Sequence, residues 1–519
     1  MTDTSDQLPV PQRMPSGIAG LDRILQGGFL KGGSYLIMGP PGAGKTILGN
    51  QLCFNHVAAG GRAIYLTLLA ETNSRMLAHI QTFSYFTLTP IADTLSYLSG
   101  YSILEQEGLE GLTALLRSEI RSHRATLLLI DGTVTAEQAA PSVQEWKKFL
   151  YDLNVAAEIL GCTIFLIMQF KEGLASQPEQ TMVDGLIELK IRAEDMRSFR
   201  ELQVRKFRGS AFLEGGHNFA ITQEGLVVYP RAEAVLAVSP AELPKPLATM
   251  EQPRRMGVGV THLDEMLRGG LPSSSTTLLL GASGTGKTLL GCHFLTKGAA
   301  QGQKALYFGF NETPAQLTRK MERFSLDASR FVAAGQLELL WQPPVQDFLD
   351  VLAERLLNAI QRLEVKCLFI DGLGGFQRTV ASAERLDLFL TALFTALRTL
   401  DVTTVCSVEL PDLFSPTVTL PQTLSGTTAM IENILLLRYV ELHSQLYRLI
   451  SIMKMRESGY DPAIREFRIT DHGIEVDSTF ASAEAILTGI ARSSTAAPGA
   501  PGVPPTFGTS GARPQGQQP

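Results

Sequence analysis

Short apolar, β-prone runs alternate with longer stretches of helical character along most of the chain. The runs are SYLIMG, AIYLTLL, TLLLID and TIFLIM in the first half, and TTLLLG, ALYFGF, CLFID and TTVCSV in the second. Apolar runs of this length, bounded by helices, are typical of central strands in a mostly parallel sheet. The pattern therefore predicts an α/β fold in which helices cover both faces of each sheet.

The two halves of the chain repeat each other. MPSGIAGLDRILQGGFLKGGSYLIMGPPGAGKT begins at Met14, and the similar MGVGVTHLDEMLRGGLPSSSTTLLLGASGTGKT begins 242 residues later at Met256. A period of this length is a whole domain, which indicates a duplication rather than a solenoid. We therefore expect two tandem domains, over residues 14–229 and 256–491.

Three other segments differ from these domains in composition. Residues 1–13 are polar, residues 230–255 are rich in Pro and Ala, and residues 492–519 are almost entirely small, polar or Pro/Gly. None of them carries enough periodic apolar material for a packed core. We predict a flexible N-terminus, a linker and a disordered tail, respectively.

Two segments satisfy the pattern GxxxxGK[ST], each between an apolar strand and a helix. They are Gly39-Pro40-Pro41-Gly42-Ala43-Gly44-Lys45-Thr46 and Gly281-Ala282-Ser283-Gly284-Thr285-Gly286-Lys287-Thr288. The glycines let backbone N–H groups face phosphates, and the start of the helix adds the positive end of its dipole. The lysine brings a cation to the β- and γ-phosphates, and the threonine hydroxyl binds Mg²⁺. The duplicated motif predicts two sites for ATP and Mg²⁺.

Each domain also offers an acidic residue at the end of another apolar run. Asp131 ends TLLLID and Asp371 ends CLFID. On its own, an aspartate at a strand end carries no functional meaning. Paired with a P-loop at matching spacing, it is expected to complete the Mg²⁺ site with Thr46 or Thr288.

A carboxylate follows the strand after each P-loop helix. Glu71 lies in LTLLAETNSR and Glu312 in YFGFNETPAQ. A glutamate here can orient or deprotonate the water that attacks the γ-phosphate, although a Glu-Thr pair before a helix also serves as an N-terminal cap. Because the pair is repeated, we prefer the catalytic interpretation.

A third matched feature is a pair of cations in a late strand. Lys206 and Arg208 lie in LQVRKFRGS, and Lys454 and Arg456 lie in ISIMKMRES. These charges could simply alternate on the solvated face of an edge strand. The sharper hypothesis is that they reach the γ-phosphate of a neighbouring subunit and stabilise the charge of the transition state.

At this point the chain resembles a known family, the KaiC-type ATPases of the RecA superfamily, which includes a circadian-clock protein. The similarity covers roughly residues 14–490, and the tracts SGIAGLDRILQGG and LLLRYVELHSQLYRLISIMKMRESGYDPAIREFRITDHGIEV carry it beyond the P-loops. The resemblance implies two tandem RecA-like domains, a homohexameric double ring with ATP between subunits, and slow ATP hydrolysis. In some members the second domain also phosphorylates its own serine or threonine residues.

The resemblance also assigns roles to individual positions. Glu71 and Glu312 match the second of two adjacent catalytic glutamates, whereas Ala70 and Asn311 replace the first. Weak hydrolysis is therefore expected.

The family's paired phosphoacceptors align with Thr428 and Ala429, so one hydroxyl of the pair is missing. Thr427 and Ser425 offer hydroxyls nearby. Thr427 and Thr428 are accordingly the candidate acceptors, although hydroxyls in such a loop can equally cap the next helix.

Three functions remain open from the sequence. The first is a KaiC-like signalling ATPase with autokinase activity in the second domain. The second is a RecA-like recombinase or helicase motor, for which the chain lacks convincing basic, Gly-rich loops. The third is a nucleotide-gated scaffold with little hydrolysis, which the replaced glutamates Ala70 and Asn311 keep open. We prefer the first.

Overall fold

The computed structural model describes most of the chain. The described ranges are residues 12–69, 73–91, 93–169, 178–194, 197–236, 254–343, 348–380, 383–411, 429–456 and 458–487. Of the positions predicted to be functional, Glu71, Thr427 and Thr428 lie outside these ranges.

Among the described residues up to 236, the chain forms eleven strands and eight helices. The strands are β1 (Arg13–Met14), β2 (Phe29–Leu30), β3 (Ser34–Gly39), β4 (Ala63–Thr67), β5 (Leu95–Ser99), β6 (Leu127–Asp131), β7 (Thr163–Gln169), β8 (Gly185–Glu194), β9 (Arg197–Phe207), β10 (Gly216–Thr222) and β11 (Gly225–Tyr229). The helices are α1 (Ala19–Ile24), α2 (Lys45–Ala58), α3 (Asn73–Ile80), α4 (Tyr101–His123), α5 (Thr133–Ala139), α6 (Val143–Leu160), α7 (Pro178–Met182) and α8 (Ala232–Val235).

The second repeat follows the same plan. Its strands are β12 (Arg255–Met256), β13 (Leu271–Pro272), β14 (Thr276–Gly281), β15 (Ala305–Gly309), β16 (Leu337–Trp341), β17 (Cys367–Asp371), β18 (Thr403–Glu409), β19 (Asn433–Leu442), β20 (Gln445–Met455), β21 (Arg465–Thr470) and β22 (Gly473–Val476). Its helices are α9 (Thr261–Met266), α10 (Lys287–Ala300), α11 (Pro314–Arg323), α12 (Ala328–Ala333), α13 (Leu349–Leu363), α14 (Gly374–Gln377), α15 (Ala383–Thr399) and α16 (Ala481–Leu487).

Each repeat contains one nine-stranded sheet. The strand orders are β11-β10-β9-β8-β3-β7-β6-β4-β5 and β16-β15-β17-β18-β14-β19-β20-β21-β22. Strands β5, β4, β6, β7, β3 and β8 run parallel, and β9, β10 and β11 extend the sheet in antiparallel fashion. The second sheet shows the same division. The predicted α/β class with two tandem RecA-like domains is confirmed.

The central strands are apolar on both sides because helices cover both sides. In β3, Tyr35 and Ile37 pack into the core under α2, while Leu36 and Met38 face the core under α4 and α6. In the second domain α10 covers one face of the sheet, and α13 and α15 cover the other. The alternating contacts explain why these runs lack the polar positions of a half-exposed strand.

The end of the first repeat packs against the second. Ala232 of α8 belongs to the same hydrophobic cluster as Leu352 of α13 and Leu390 of α15. The segment expected to be a linker therefore begins with a helix that is anchored on the second domain. None of the helices in the described ranges combines the length and hydrophobicity that a membrane span requires.

Candidate functional site: the two phosphate loops

Both phosphate loops connect the central strand of a sheet to a buried helix. The first loop runs from Gly39 at the end of β3 to Lys45 at the start of α2, and the second joins β14 to α10 in the same way. Gly44 and Gly286 precede the helices with φ of 99° and 109°, a left-handed conformation that favours glycine. All residues of both predicted motifs therefore lie in strand–loop–helix turns with free helix N-termini.

Each loop lysine folds back over its own loop. Lys45 Nζ donates to the carbonyl oxygens of Gly39 and Pro40 at 2.8 and 2.9 Å. Lys287 Nζ donates to those of Gly281 and Ala282, both at 2.7 Å. The ammonium groups are thus held by neutral oxygens in the concave part of the loop, where a phosphate would be a far stronger partner.

Next to each loop, a threonine hydroxyl contacts the predicted aspartate. Thr46 Oγ1 lies 3.1 Å from Asp131 Oδ2, and Thr288 Oγ1 lies 2.9 Å from Asp371 Oδ2. A hydroxyl and a carboxylate are hard oxygen ligands, and Mg²⁺ usually takes few protein ligands and completes its shell with phosphate and water. The residues present fit Mg²⁺, which would be held by the threonine and, directly or through water, by the aspartate.

The sequence did not reveal the tyrosines that hold these aspartates. Tyr65 Oη donates to Asp131 Oδ2 at 2.7 Å, and Tyr307 Oη donates to Asp371 Oδ2 at 3.0 Å. Both tyrosines are buried strand residues that the apolar pattern assigned to the core. Burial raises the pKa of Asp131, and the hydrogen bonds from Tyr65 and Thr46 oppose that shift. The tyrosines thus orient both carboxylates, and Tyr65 favours the charged form of Asp131.

The second aspartate has a side-chain partner that the first lacks. Ser407 Oγ donates to Asp371 Oδ1 at 2.7 Å and accepts the Gly372 N–H at 2.8 Å. In the sheet register Ile167 stands at the corresponding place of the first domain. There the Gly132 N–H donates to Asp131 directly, so the two carboxylates are held by different third partners.

Glu312 lies directly before α11 and contacts a cation. Its carboxylate forms a close ion pair with Lys320 of α11. Thr313, not Glu312, caps the helix, with Gln316 completing a capping box. The capping role therefore belongs to Thr313, and the catalytic role of Glu312 stays a prediction. Its counterpart Glu71 lies outside the described residues.

The late-strand cations lie at the opposite end of the sheet from their own phosphate loop. In the sheet register Lys206 pairs with Leu186, which pairs with Leu36 near the start of β3. In the second domain Lys454 pairs with Ile434, which pairs with Leu278 near the start of β14. Lys206 Nζ donates to three carbonyl groups, including that of Val183 at 2.6 Å. Strand β9 is paired on both sides, so the edge-strand interpretation is wrong.

The remaining cations of the two pairs are Arg208, Lys454 and Arg456. Arg208 donates to the Thr181 carbonyl at 3.1 Å, and Lys454 to the Ile431 carbonyl at 2.6 Å. Arg456 follows the end of β20 and is exposed. The carbonyl groups that accept these hydrogen bonds from Lys206, Arg208 and Lys454 all lie outside the phosphate loops.

A tyrosine that sequence analysis overlooked contacts the second loop. Tyr439 Oη donates to the Gly284 carbonyl at 2.6 Å, and the guanidinium of Arg448 lies 5.3 Å from the centre of its ring. In the first domain the residue at the register position of Tyr439 is Ile191, which follows Lys190. The signal available in the sequence was the aromatic residue in LLLRYVE, which lacks a counterpart in LIELKIRAE.

Comparisons with known proteins agree with this geometry. A family model described as the KaiC ATPase matches residues 14–233 and 256–480, which is both repeats. The circadian clock oscillator proteins KaiC of Thermostichus vulcanus and Synechococcus elongatus are each 25% identical to the chain, covering 92% of it and 91% of the relative. The KaiC protein of Prochlorococcus marinus is 25% identical over 92% of the chain and 95% of its own length.

The family match spans most of the sequence and falls on the two domains that carry the phosphate loops. The relatives align along nearly their whole length, so the likeness is not confined to one motif. The chain belongs to the KaiC family of ATPases.

Proposed function

We propose that the protein is a signalling ATPase that binds MgATP at both phosphate loops and hydrolyses it slowly between the subunits of a cytoplasmic homohexamer. The observation that carries the proposal is the duplicated arrangement of a loop lysine with a Thr–Asp pair: Lys45 with Thr46 and Asp131, repeated around Lys287. Lysine places charge on the phosphates, and the Thr–Asp pair places Mg²⁺ beside them.

In this proposal Glu71 and Glu312 prepare the attacking water. The support for Glu312 is its place shortly after the end of β15, whose last residue Gly309 pairs with Asp371 at the end of β17. The ion pair with Lys320 has to open, or shift, before the carboxylate can accept a proton. Slow turnover is the expected consequence, in keeping with the loss of the first glutamate at Ala70 and Asn311.

The shared site is supported by the direction of the sheet. A phosphate loop follows the carboxyl end of β3, whereas Lys206 lies near its amino end, about 10 Å of strand away. A neighbouring subunit can bring the Lys206 end of its sheet against this loop, whereas the same subunit cannot. Lys454 and Arg456 have the same relation to the second loop, which makes a ring of identical subunits the natural assembly.

Phosphate release from the purified chain tests the enzymatic part. We expect slow release without DNA, abolished by Glu71→Gln/Glu312→Gln, with nucleotide binding retained because an amide holds water but cannot accept its proton. Unchanged release in this double variant would remove both glutamates from the mechanism. Binding without any release in the unaltered chain would favour the scaffold, and stimulation by DNA with steep salt dependence would favour a motor.

The autokinase is the finer part of the proposal, with Thr427 and Thr428 as acceptors. Incubation with γ-labelled ATP and mass mapping would locate any phosphate, and Thr427→Ala/Thr428→Ala should remove it. Lys287→Ala is the matched control, because it disables the loop of the same domain while keeping both threonines. Label that persists in both variants would place the modification elsewhere.

A further inference from the structure

Strand β18 ends in a carboxylate beside the second phosphate loop. In the parallel register Glu409 is the partner of Gly281, and the Leu410 N–H donates to the Gly281 carbonyl at 3.0 Å. Lys287 Nζ donates to that same carbonyl at 2.7 Å. The backbone that follows Glu409 and the ammonium of Lys287 are therefore joined through one oxygen, at the first residue of the loop.

The first domain has no charge at the equivalent position. Gln169 ends β7 and is the register partner of Gly39, as Glu409 is of Gly281. Burial lowers the pKa of Lys45, and Asp131 alone is the carboxylate that opposes this shift. Burial likewise lowers the pKa of Lys287, but there two carboxylates oppose it, Glu409 first and Asp371 second. The two lysines thus differ by one negative neighbour.

Two neighbouring carboxylates are engaged in contacts of their own. Glu312 is paired with Lys320, and Asp371 is held by hydroxyl groups. Glu409 is exposed and lines a cavity of about 130 Å³ together with Asn311 and Arg378. The carboxylate of Glu409 is therefore open to solvent, and Arg378 is a cation that lines the same cavity.

We propose that Glu409 makes the second site discriminate against nucleoside triphosphate relative to diphosphate, a preference that the first site lacks because it has Gln169. The inference rests on the proposed function, since it assumes that Lys287 binds nucleotide phosphates. A γ-phosphate adds negative charge at the end of the loop, where it competes with Glu409 for Lys287 and is repelled by it. A diphosphate places less charge there.

As a consequence, the two domains differ in the nucleotide that fills their sites. At equal concentrations of the two nucleotides, the first site fills with triphosphate more readily than the second. At the second site Glu409 opposes the third phosphate, so the diphosphate competes there more effectively than at the first site. The occupancy of the second site therefore depends on the ratio of triphosphate to diphosphate in the surrounding solution.

Calorimetric titration of the full chain tests the inference, with Lys45→Ala present to silence the first site. The probes are AMP-PNP and ADP, each with Mg²⁺. We expect Glu409→Gln to tighten AMP-PNP binding on the order of tenfold and ADP binding less than about threefold. Glu409→Asp keeps the charge and should keep the original ratio, and added salt should shrink the effect of Glu409→Gln.

The reciprocal change provides a second measurement. Gln169→Glu, combined with Lys287→Ala, should weaken AMP-PNP binding at the first site more than ADP binding. Equal affinities for AMP-PNP before and after Glu409→Gln would overturn the inference and leave the proposed function standing. Weaker binding of both Mg²⁺-nucleotides would also overturn it, by identifying Glu409 as a metal ligand. Failure of both probes to bind, with and without the Glu409→Gln change, would overturn the proposed function as well.

Discussion

In each phosphate site, the side chain of the loop lysine folds back onto the backbone of its own loop. Lys45 and Lys287 are each held by two carbonyl oxygens, an arrangement that keeps the ammonium in place without neutralising it. The phosphate of a nucleotide can take over these contacts without a large rearrangement. The strength of nucleotide binding should therefore depend mainly on this one charge.

Removing the charge gives the prediction at this scale. A unit charge about 4 Å from a phosphate, at an effective dielectric constant near 20, contributes about 4 kcal/mol. Lys45→Ala and Lys287→Ala should each weaken MgATP binding at their own site by roughly a factor of 1000. Equilibrium dialysis at micromolar ATP measures the stoichiometry, which should fall from two sites per chain to one in each single variant.

Lys31→Ala is a suitable control, because Lys31 is an exposed lysine of the same domain whose ammonium contacts Gln12. It should keep both sites. Stoichiometric binding of ATP by the Lys45→Ala/Lys287→Ala double variant would contradict the assignment of both loops.

At the scale of elements, the P-loop helix is tied to the last hairpin of its sheet. In the first domain Gln51 of α2 accepts from the Leu226 N–H at 2.8 Å and donates to the Glu224 carbonyl at 3.3 Å. In the second domain His293 of α10 accepts from the Ile474 N–H at 3.0 Å. The same junction thus uses a neutral amide in one domain and a titratable ring in the other.

This difference predicts that the second domain loses stability in mild acid. Burial lowers the pKa of His293 from 6.5 to about 4, and a backbone hydrogen bond at Gly259 opposes that shift only in part. His293 is neutral in the folded state. Its contribution to the free energy of unfolding is therefore complete above pH 6.5 and is lost as the pH falls from there toward 4. By pH 5 the loss should be about 2 kcal/mol.

Thermal unfolding at pH 7 and pH 5 measures the effect. His293→Gln copies the first domain, and we expect it to reduce the fall in Tm between the two pH values. His472→Gln, at an exposed histidine in the same hairpin, should leave the fall unchanged. An equal fall in the His293→Gln variant would show that other groups govern the acid response.

Much of this architecture could be predicted from the sequence. The apolar runs located β3, β4, β6 and β7 because a strand covered on both faces has few polar positions. The motifs located Lys45 and Asp131 because their chemistry fixes their spacing from strand ends. Tyr65 and Ser407 were missed because a hydroxyl in an apolar strand looks like core until the neighbouring strand is known. The register between neighbouring strands, which brings Glu409 next to Gly281, is not encoded in the local sequence.

At the scale of the whole molecule, the two domains are joined by a buried network of charges. The side chain of Asp350 is fully buried and accepts from Arg385 of α15 at 2.6 Å, from Asn218 of β10 at 2.9 Å and from the Ala232 N–H of α8 at 3.0 Å. Arg385 also contacts Glu233 at 3.0 Å. The network therefore fixes α8 and strand β10 of the first sheet on the second domain.

Breaking the network should loosen α8. Asp350→Ala removes the acceptor of three hydrogen bonds, one of them from the guanidinium of Arg385, and a hydrogen bond to a charged group typically contributes about 1.5–3 kcal/mol. We expect amide exchange in α8 to accelerate on the order of 100-fold or more in the variant. Glu338→Ala, which removes an exposed ion pair with Arg362, is the control and should change exchange little. Unchanged exchange of α8 in Asp350→Ala would mean that apolar packing alone holds it.

The proposed sharing of the active site between subunits predicts how mixed assemblies behave. Glu71→Gln/Glu312→Gln and Lys206→Ala/Lys454→Ala should each be inactive, and mixing them should partly restore phosphate release. Some interfaces then pair intact glutamates with intact lysines from the next subunit. Mass spectrometry of the mixed rings verifies that subunits have exchanged.

The matched control replaces the lysine variant with Lys45→Ala/Lys287→Ala. Its defect lies on the same side of the interface as the glutamate defect, so no mixed interface is complete and no activity should return. Restoration in this control, or none in the first mixture despite verified exchange, would contradict a site built from two subunits.

The position of α8 also determines where the chain can be divided. Ala232 fills part of the apolar cluster around α13 and α15, and its N–H is one of the donors to Asp350. A fragment begun at residue 256 would open that cluster to water and leave the Asp350 carboxylate short of two donors. The boundary of the sequence repeat is therefore not the boundary of the cooperative folding unit, and a soluble second half should need to begin before residue 232.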